Sequence, residues 1–158
     1  IPQPDGDSDS STGAVYIYAY DAGNWSQQAY IKSSNTDIND WFGSRLALSG
    51  DGNTLAAGAQ LEDSGSQGID KVQEDNGATE AGAVYLFDRT EETWTQVAYI
   101  KASNSEAFDE FGSSMSLSRD GSIIAIGAQF EDSSARGSNG NQEDNVAFDS
   151  GAVYLFSR

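Results

Sequence analysis

The segment GAVY occurs three times, starting at Gly13, Gly82 and Gly151, and both steps are 69 residues. Between these marks the register holds without a gap: Trp25 with Trp94, AYIK at 29 and 98, FGS at 42 and 111, GAQ at 58 and 127, EDS at 62 and 131, QEDN at 73 and 142. Laying 13–81 over 82–150 gives 33 identities in 69 positions. Such a chain is a repeat protein, in which one small unit recurs and covers its apolar faces with its neighbours. The repeat divides the 158 residues into an acidic leader (1–12), a first unit (13–81), a second unit (82–150) and a last stretch (151–158). That last stretch is the first strand of a third unit or an exchanged strand.

Each unit reads as four strands. Over 14–20, Val15, Ile17 and Ala19 alternate with Tyr16, Tyr18 and Tyr20, the period-two pattern of a strand with two different faces. Asp21-Ala22-Gly23-Asn24 has the composition of a hairpin turn. Further strands are predicted over 25–32, 44–49 and 54–60, the last two joined by Gly50-Asp51-Gly52-Asn53. The second-unit equivalents are 83–88, 94–101, 113–118 and 122–129. Ile123 to Ala128 is apolar on both faces, which places it inside the assembly. The small residues Ala56, Ala57, Gly58 and Ala59 suit a close approach of neighbouring sheets. Four short antiparallel strands at a fixed repeat predict an all-β, propeller-like fold: two four-stranded antiparallel blades of 69 residues plus one strand of a third. A β-sandwich or β-solenoid is the alternative arrangement. Trp25 and Trp94 share a strand position and are expected to cover an adjacent blade. Trp41 has Glu110 as its counterpart and is a candidate for surface contact.

Composition removes several function classes. With no cysteine and no histidine the chain has no disulfide, thiolate nucleophile, Cys/His zinc site or Ser-His-Asp triad. Its 25 acidic and 8 basic residues give a net charge of -17, which disfavours nucleic acid and anionic membrane surfaces as partners. No stretch approaches the roughly 20 apolar residues of a membrane span. Acidity combined with many Ser, Asn, Gly and Asp residues suits a salt-rich, calcium-containing exterior, so an extracellular or cell-surface location is expected.

The informative carboxylates lie in two connections, 61–81 and 130–150, that are long for segments without structure of their own. The first holds Glu62, Asp63, Asp70, Glu74 and Asp75; the second holds Glu131, Asp132, Glu143 and Asp144. In the leader, Asp5, Asp7 and Asp9 alternate. Calcium takes about six to eight oxygen ligands, and a divalent cation removes the repulsion of crowded like charges. These residues are therefore candidate metal ligands, with calcium the candidate ion. Solvated acidic loops are the alternative. The conspicuous carboxylates recur at equal offsets in both units, which favours a scaffold or metal role over a single catalytic pair. No catalytic residue and no enzyme activity are expected.

At Phe42-Gly43-Ser44, Asp51-Gly52-Asn53-Thr54-Leu55-Ala56-Ala57-Gly58-Ala59 and Gly82-Ala83-Val84-Tyr85-Leu86-Phe87 the chain resembles the FG-GAP repeat family. These are the blades of integrin alpha-chain β-propellers and of many secreted bacterial and archaeal repeat proteins. The phrases recur as Phe111-Gly112-Ser113, Asp120 to Ala128 and Gly151-Ala152-Val153-Tyr154, so the resemblance covers nearly all of 13–158. It implies an extracellular, often calcium-bearing propeller used in adhesion or in protein and glycan recognition. Where family members carry a DxDxDG calcium loop, this chain has Ser49-Gly50-Asp51-Gly52-Asn53 and Ser118-Arg119-Asp120-Gly121-Ser122, with one carboxylate each. The expected function is a non-catalytic, calcium-stabilised extracellular module for adhesion or protein and glycan binding. The alternative is a structural subunit of an extracellular filament or ring, assembled by strand or blade complementation; a glycoside-active domain is disfavoured. Expected partners are copies of itself or further blades of a longer chain, and an extracellular protein or glycan, without nucleic acid or membrane insertion. The strand at 152–157 is equivalent to 14–19, which makes head-to-tail exchange geometrically open.

Overall fold

A computed structural model describes residues 11–158; Asp5, Asp7 and Asp9 lie outside the described residues. Nine strands follow in order: β1 (Val15–Asp21), β2 (Asn24–Ile31), β3 (Arg45–Leu48), β4 (Thr54–Ala59), β5 (Ala83–Thr90), β6 (Thr93–Ile100), β7 (Phe111–Leu117), β8 (Ile123–Ala128) and β9 (Ala152–Ser157). Every strand expected from the sequence is present. The fold is all-β, and every pairing between these strands is antiparallel.

The grouping of the strands differs from the expected two blades of four. The sheets have the orders β1-β2, β3-β4-β5-β6 and β7-β8-β9. The sequence unit and the sheet are thus out of phase, and the one four-stranded sheet takes half its strands from each unit. The tight hairpins β1/β2, β3/β4 and β5/β6 form locally, but β4 pairs with β5 across the long connection, with Ala59 opposite Ala83 and Thr54 opposite Asp88. The shorter connection, from β2 to β3, instead steps from one sheet to the next. Phe-Gly at the start of the incoming sheet meets Gly-Ala-Val of the sheet before it at each step. Phe42 N–H donates to Thr12 O (3.3 Å) and Phe111 N–H to Ala81 O (3.0 Å). Gly13 and Gly82 lie under these contacts at φ +78° and +81°, and a Cβ on either would collide with the phenylalanine carbonyl. Only glycine meets both demands.

The sheets stack through two apolar interfaces built from equivalent residues. Between the first and second sheets lie Val15, Ile31, Phe42, Leu55, Tyr85 and Phe87, with Ile17, Ala29 and Trp94 at the border. Between the second and third lie Val84, Ile100, Phe111 and Ile124, with Tyr154 and Phe156 at the border. Strand β5 serves both: Tyr85 and Phe87 face backward, Val84 and Leu86 forward. Every residue of β4 is buried, because that strand has a sheet on either face. A Cβ on Gly58 would come within 2.8 Å of the Gly112 carbonyl, so the small residues do mark a close approach. Strand β8 is also apolar, but Ile123 is 48% exposed, since no further sheet covers its forward face.

Candidate functional site

The two long connections fold back onto the sheets and close at their bases. Ala78 N–H donates to Asp63 O (2.8 Å) and Gly82 N–H to Glu62 O (2.9 Å); Ala147 to Asp132 O and Gly151 to Glu131 O repeat this at 2.9 Å each. The closure turns Glu62 and Glu131 inward, leaving them 1% and 2% exposed.

Glu62 is the centre of a buried polar cluster that joins three segments. Its Oε2 accepts from Lys101 Nζ (2.8 Å) and Ser64 N–H (3.1 Å). Its Oε1 accepts from Tyr99 OH (2.8 Å) and Asn35 Nδ2 (3.0 Å). Asn35 Oδ1 in turn accepts from Tyr85 OH (2.5 Å). Lys101 is fully buried, and burial pulls its ammonium below its ordinary value while the Glu62 charge opposes that pull. Burial likewise pushes the phenols of Tyr85 and Tyr99 upward, with the Glu62 charge adding to it. Two buried charges are tolerable here because they neutralise each other directly and the carboxylate accepts three further hydrogen bonds. Glu131 repeats half of this arrangement. Its Oε1 accepts from Asn104 Nδ2 (2.9 Å), and its Oε2 from Ser133 N–H (3.2 Å) and Ser133 Oγ (3.0 Å). Tyr154 OH donates to Asn104 Oδ1 (2.5 Å).

The remaining candidate ligands are spread over separate amide groups. Asp63 Oδ1 accepts from Glu80 N–H and Asp132 Oδ1 from Asp149 N–H. Asp70 accepts from Tyr99 N–H, Asp75 from Gly77 N–H, and Asp144 from Ser134 N–H and Oγ. Glu74 and Glu143 are exposed. In the short turns, Asp51 and Asp120 accept from Ser49 and Ser118 hydroxyls and from the Asn53 and Ser122 amides. Among the described residues no three Asp, Glu, His or Cys side chains converge. As arranged, these carboxylates do not fit calcium, which needs a cage of oxygens around one point.

Sequence reasoning passed over two buried aspartates. Asp40 and Asp109 are 2% and 5% exposed, and each accepts from the amide three residues before it, that of Asp37 or Glu106. Burial raises Asp40 to about 7, with the Asp37 amide offsetting it and the Glu62, Asp37 and Asp63 charges adding to it. Asp109 rises to about 6 for the same reason. Lys101, Asn35 and Asn104 were also missed as members of the cluster. All sit at positions identical in both units, which was the available signal.

The tryptophans separate by position in the stack. Trp94 borders the first interface, donates from Nε1 to Gln28 Oε1 (3.0 Å) and lies under the Arg89 guanidinium at 5.7 Å. Trp25, on the outermost hairpin, is 70% exposed and packs on Tyr20. Trp41 and Ile38, both in the β2–β3 connection, are exposed. The two end sheets present, uncovered, the residues that the internal interfaces bury: Tyr16 and Tyr18 at one end, equivalent to Tyr85 and Phe87, and Val153 and Leu155 at the other, equivalent to Val84 and Leu86.

The FG-GAP repeat matches residues 25–87 and 94–156. The chain belongs to the FG-GAP repeat family. Both matches run from the tryptophan strand through the Phe-Gly contact to the GAVY strand, so each straddles two sheets as the hydrogen bonding does. This FG-GAP chain is a non-catalytic, repeat-type all-β module. Among curated proteins none matches the chain significantly. No described helix is long and apolar enough to cross a membrane.

Proposed function

We propose that this FG-GAP chain is an extracellular module for adhesion or for protein and glycan recognition, working as part of a propeller-like stack with further blades or copies of itself. The observation that carries this reading is the chemistry of the two end sheets. Tyr16 and Tyr18 are 44% and 49% exposed, and Val153 and Leu155 are 72% and 74% exposed, yet their equivalents inside the stack are buried. Uncovered apolar residues grouped on one face mark a contact surface. Trp41 with Ile38 supplies a separate contact for a ligand on the β2–β3 connection. The test is binding of the immobilised chain to arrays of extracellular-matrix proteins and of glycans, with Trp41→Ala beside it. Loss of a specific signal in the variant supports the reading, and absence of any specific signal from the unaltered chain overturns the recognition part of it.

A second reading, a structural subunit assembled by strand or blade complementation, is favoured by β9. This strand pairs with β8 along one edge, whereas its counterpart β5 has β6 on the other. Open edges of this kind accept strands. Calcium enters either reading through a rearrangement of loops 61–81 and 130–150 that gathers their carboxylates. Thermal melts with and without added calcium test this directly.

A further inference from the structure

We propose that Lys101 and Asn35 join through an amide bond formed within the folded chain, the Lys101 amine displacing the Asn35 side-chain nitrogen as ammonia while Glu62 carries the protons. The bond lies in the buried cluster of the central sheet and is independent of what the end sheets meet.

One carboxylate holds both reaction partners. Lys101 Nζ donates to Glu62 Oε2 (2.8 Å), and Asn35 Nδ2 donates to Glu62 Oε1 (3.0 Å). Asn35 Nδ2 also donates to Gln73 O (2.9 Å), and Tyr85 OH donates to Asn35 Oδ1 (2.5 Å). The asparagine is therefore fixed from both sides of its amide, with a hydroxyl donor already on the oxygen where negative charge develops during attack. Lys101, Tyr85 and Tyr99 are fully buried and Glu62 is 1% exposed; Asn35 is partly buried. Burial weakens the hold of the Lys101 ammonium on its proton, and a desolvated lysine in neutral form is a nucleophile. Holding amine and amide on one carboxylate replaces an encounter in solution.

The first proton passes from the Lys101 ammonium to Glu62, which leaves a neutral amine and a neutral acid. Nζ then leaves Oε2, and its lone pair forms a bond to Asn35 Cγ as the carbonyl electrons move onto Oδ1 beneath the Tyr85 hydroxyl. Return of those electrons breaks the Cγ–Nδ2 bond. Glu62 gives its proton to Nδ2 and takes another from Nζ, and Nδ2 departs as ammonia. The product is a secondary amide beside a protonated Glu62, and nothing is oxidised or reduced. A buried ion pair has become two neutral groups, which relieves the cost of holding charges away from water. With no cysteine the chain has no disulfide. This bond fastens the β2–β3 connection, which steps between the first and second sheets, to the residue that follows β6.

The experiment is intact-mass spectrometry of the 158-residue chain, followed by tryptic digestion. The expected mass is that of the sequence less one ammonia. The digest is expected to contain 33–45 joined to 90–119 as one branched peptide, uncut after Lys101, with fragmentation placing the branch on Asn35. N35A and K101R each show the full mass of their own sequence, and so does E62Q, its folding checked by circular dichroism. A folded, unaltered chain at full sequence mass overturns the bond. So does an ammonia loss that maps to Asn76-Gly77 or Asn139-Gly140, where an asparagine closes on its own backbone. Loss of one water, with 46–71 joined to 90–119, makes Glu62 the acyl group and overturns the bond to Asn35. Folded E62Q linked as fully as the unaltered chain overturns the part given to Glu62. If E62Q does not fold, the mass and the branched peptide of the unaltered chain decide alone. Failure of the bond leaves the recognition and assembly readings standing, since neither uses it.

Discussion

Gly82 carries two constraints at once, a left-handed backbone and a carbonyl pressed against the place of its missing Cβ. Gly82→Ala therefore destabilises the fold by about 2–4 kcal/mol, a strained φ adding to a forced backbone shift. Gly151 has a similar φ but no phenylalanine over it, so Gly151→Ala costs about 1 kcal/mol. Urea denaturation of the two variants checks the difference. Glu62→Gln leaves the Lys101 ammonium buried without a counter-charge and costs about 3–5 kcal/mol by the same measurement. The repeat pointed to Gly82 and Glu62 as special because both units agree there. It did not point to Lys101 as the partner of Glu62, because matching positions across units reveals equivalence and says nothing of contact. The partner lies 39 residues away, beyond the unit that contains Glu62.

Residue-level burial also sets a pH dependence. Asp40 and Asp109 bind a proton more tightly folded than unfolded, with values of about 7 and about 6 against an ordinary 3.8. In that window the native state holds more protons, so stability falls as pH rises from about 4 to about 7 and is flat above. Asp51, Asp88, Asp120 and Asp144 are lowered by hydrogen bonds. Their stabilising contribution is present above the ordinary carboxylate value and is lost as pH falls through it, down to about 2 for Asp120. The urea midpoint is therefore expected to peak in mildly acidic solution. Asp40→Asn keeps an acceptor for the Asp37 amide and flattens the slope between pH 4 and pH 7; an unchanged slope would show that Asp40 does not titrate there.

At the scale of elements, the strands were legible and the sheets were not. Alternation in 14–20 and the Gly/Asn/Asp turns specify where each strand runs, because both are local. Which strands pair is decided by a step of the chain between sheets, and β2–β3 and β4–β5 are both connections without periodicity. The seating of the Phe42 and Phe111 backbone over Gly13 and Gly82 resolves the choice. The placement of the loop carboxylates was illegible for a similar reason, since an acidic loop reads alike whether it faces an ion or its own amides. Phe111→Ala, at the centre of the second interface, costs about 3–5 kcal/mol. Leu155→Ser, on the uncovered face, changes monomer stability by no more than about 0.5 kcal/mol. If calcium gathers the loop carboxylates as proposed, added calcium raises the melting temperature; an unchanged melting temperature overturns that role and leaves them on their amide partners.

At the scale of the molecule, the chain carries a net charge of -17, and its three sheets pack as a stack, each against the next. Such a charge opposes association through the uncovered tyrosines and aliphatics, and its self-repulsion is relieved by salt. Because each sheet leans only on the next, cooperativity is graded along the stack. The wholly enclosed strand β4 has cover on both sides and a ladder on both edges. Its amide hydrogens should therefore be the last to exchange with deuterium, those of the β1–β2 hairpin among the first, and a protease should trim this protein inward from its extremities before it cuts the middle.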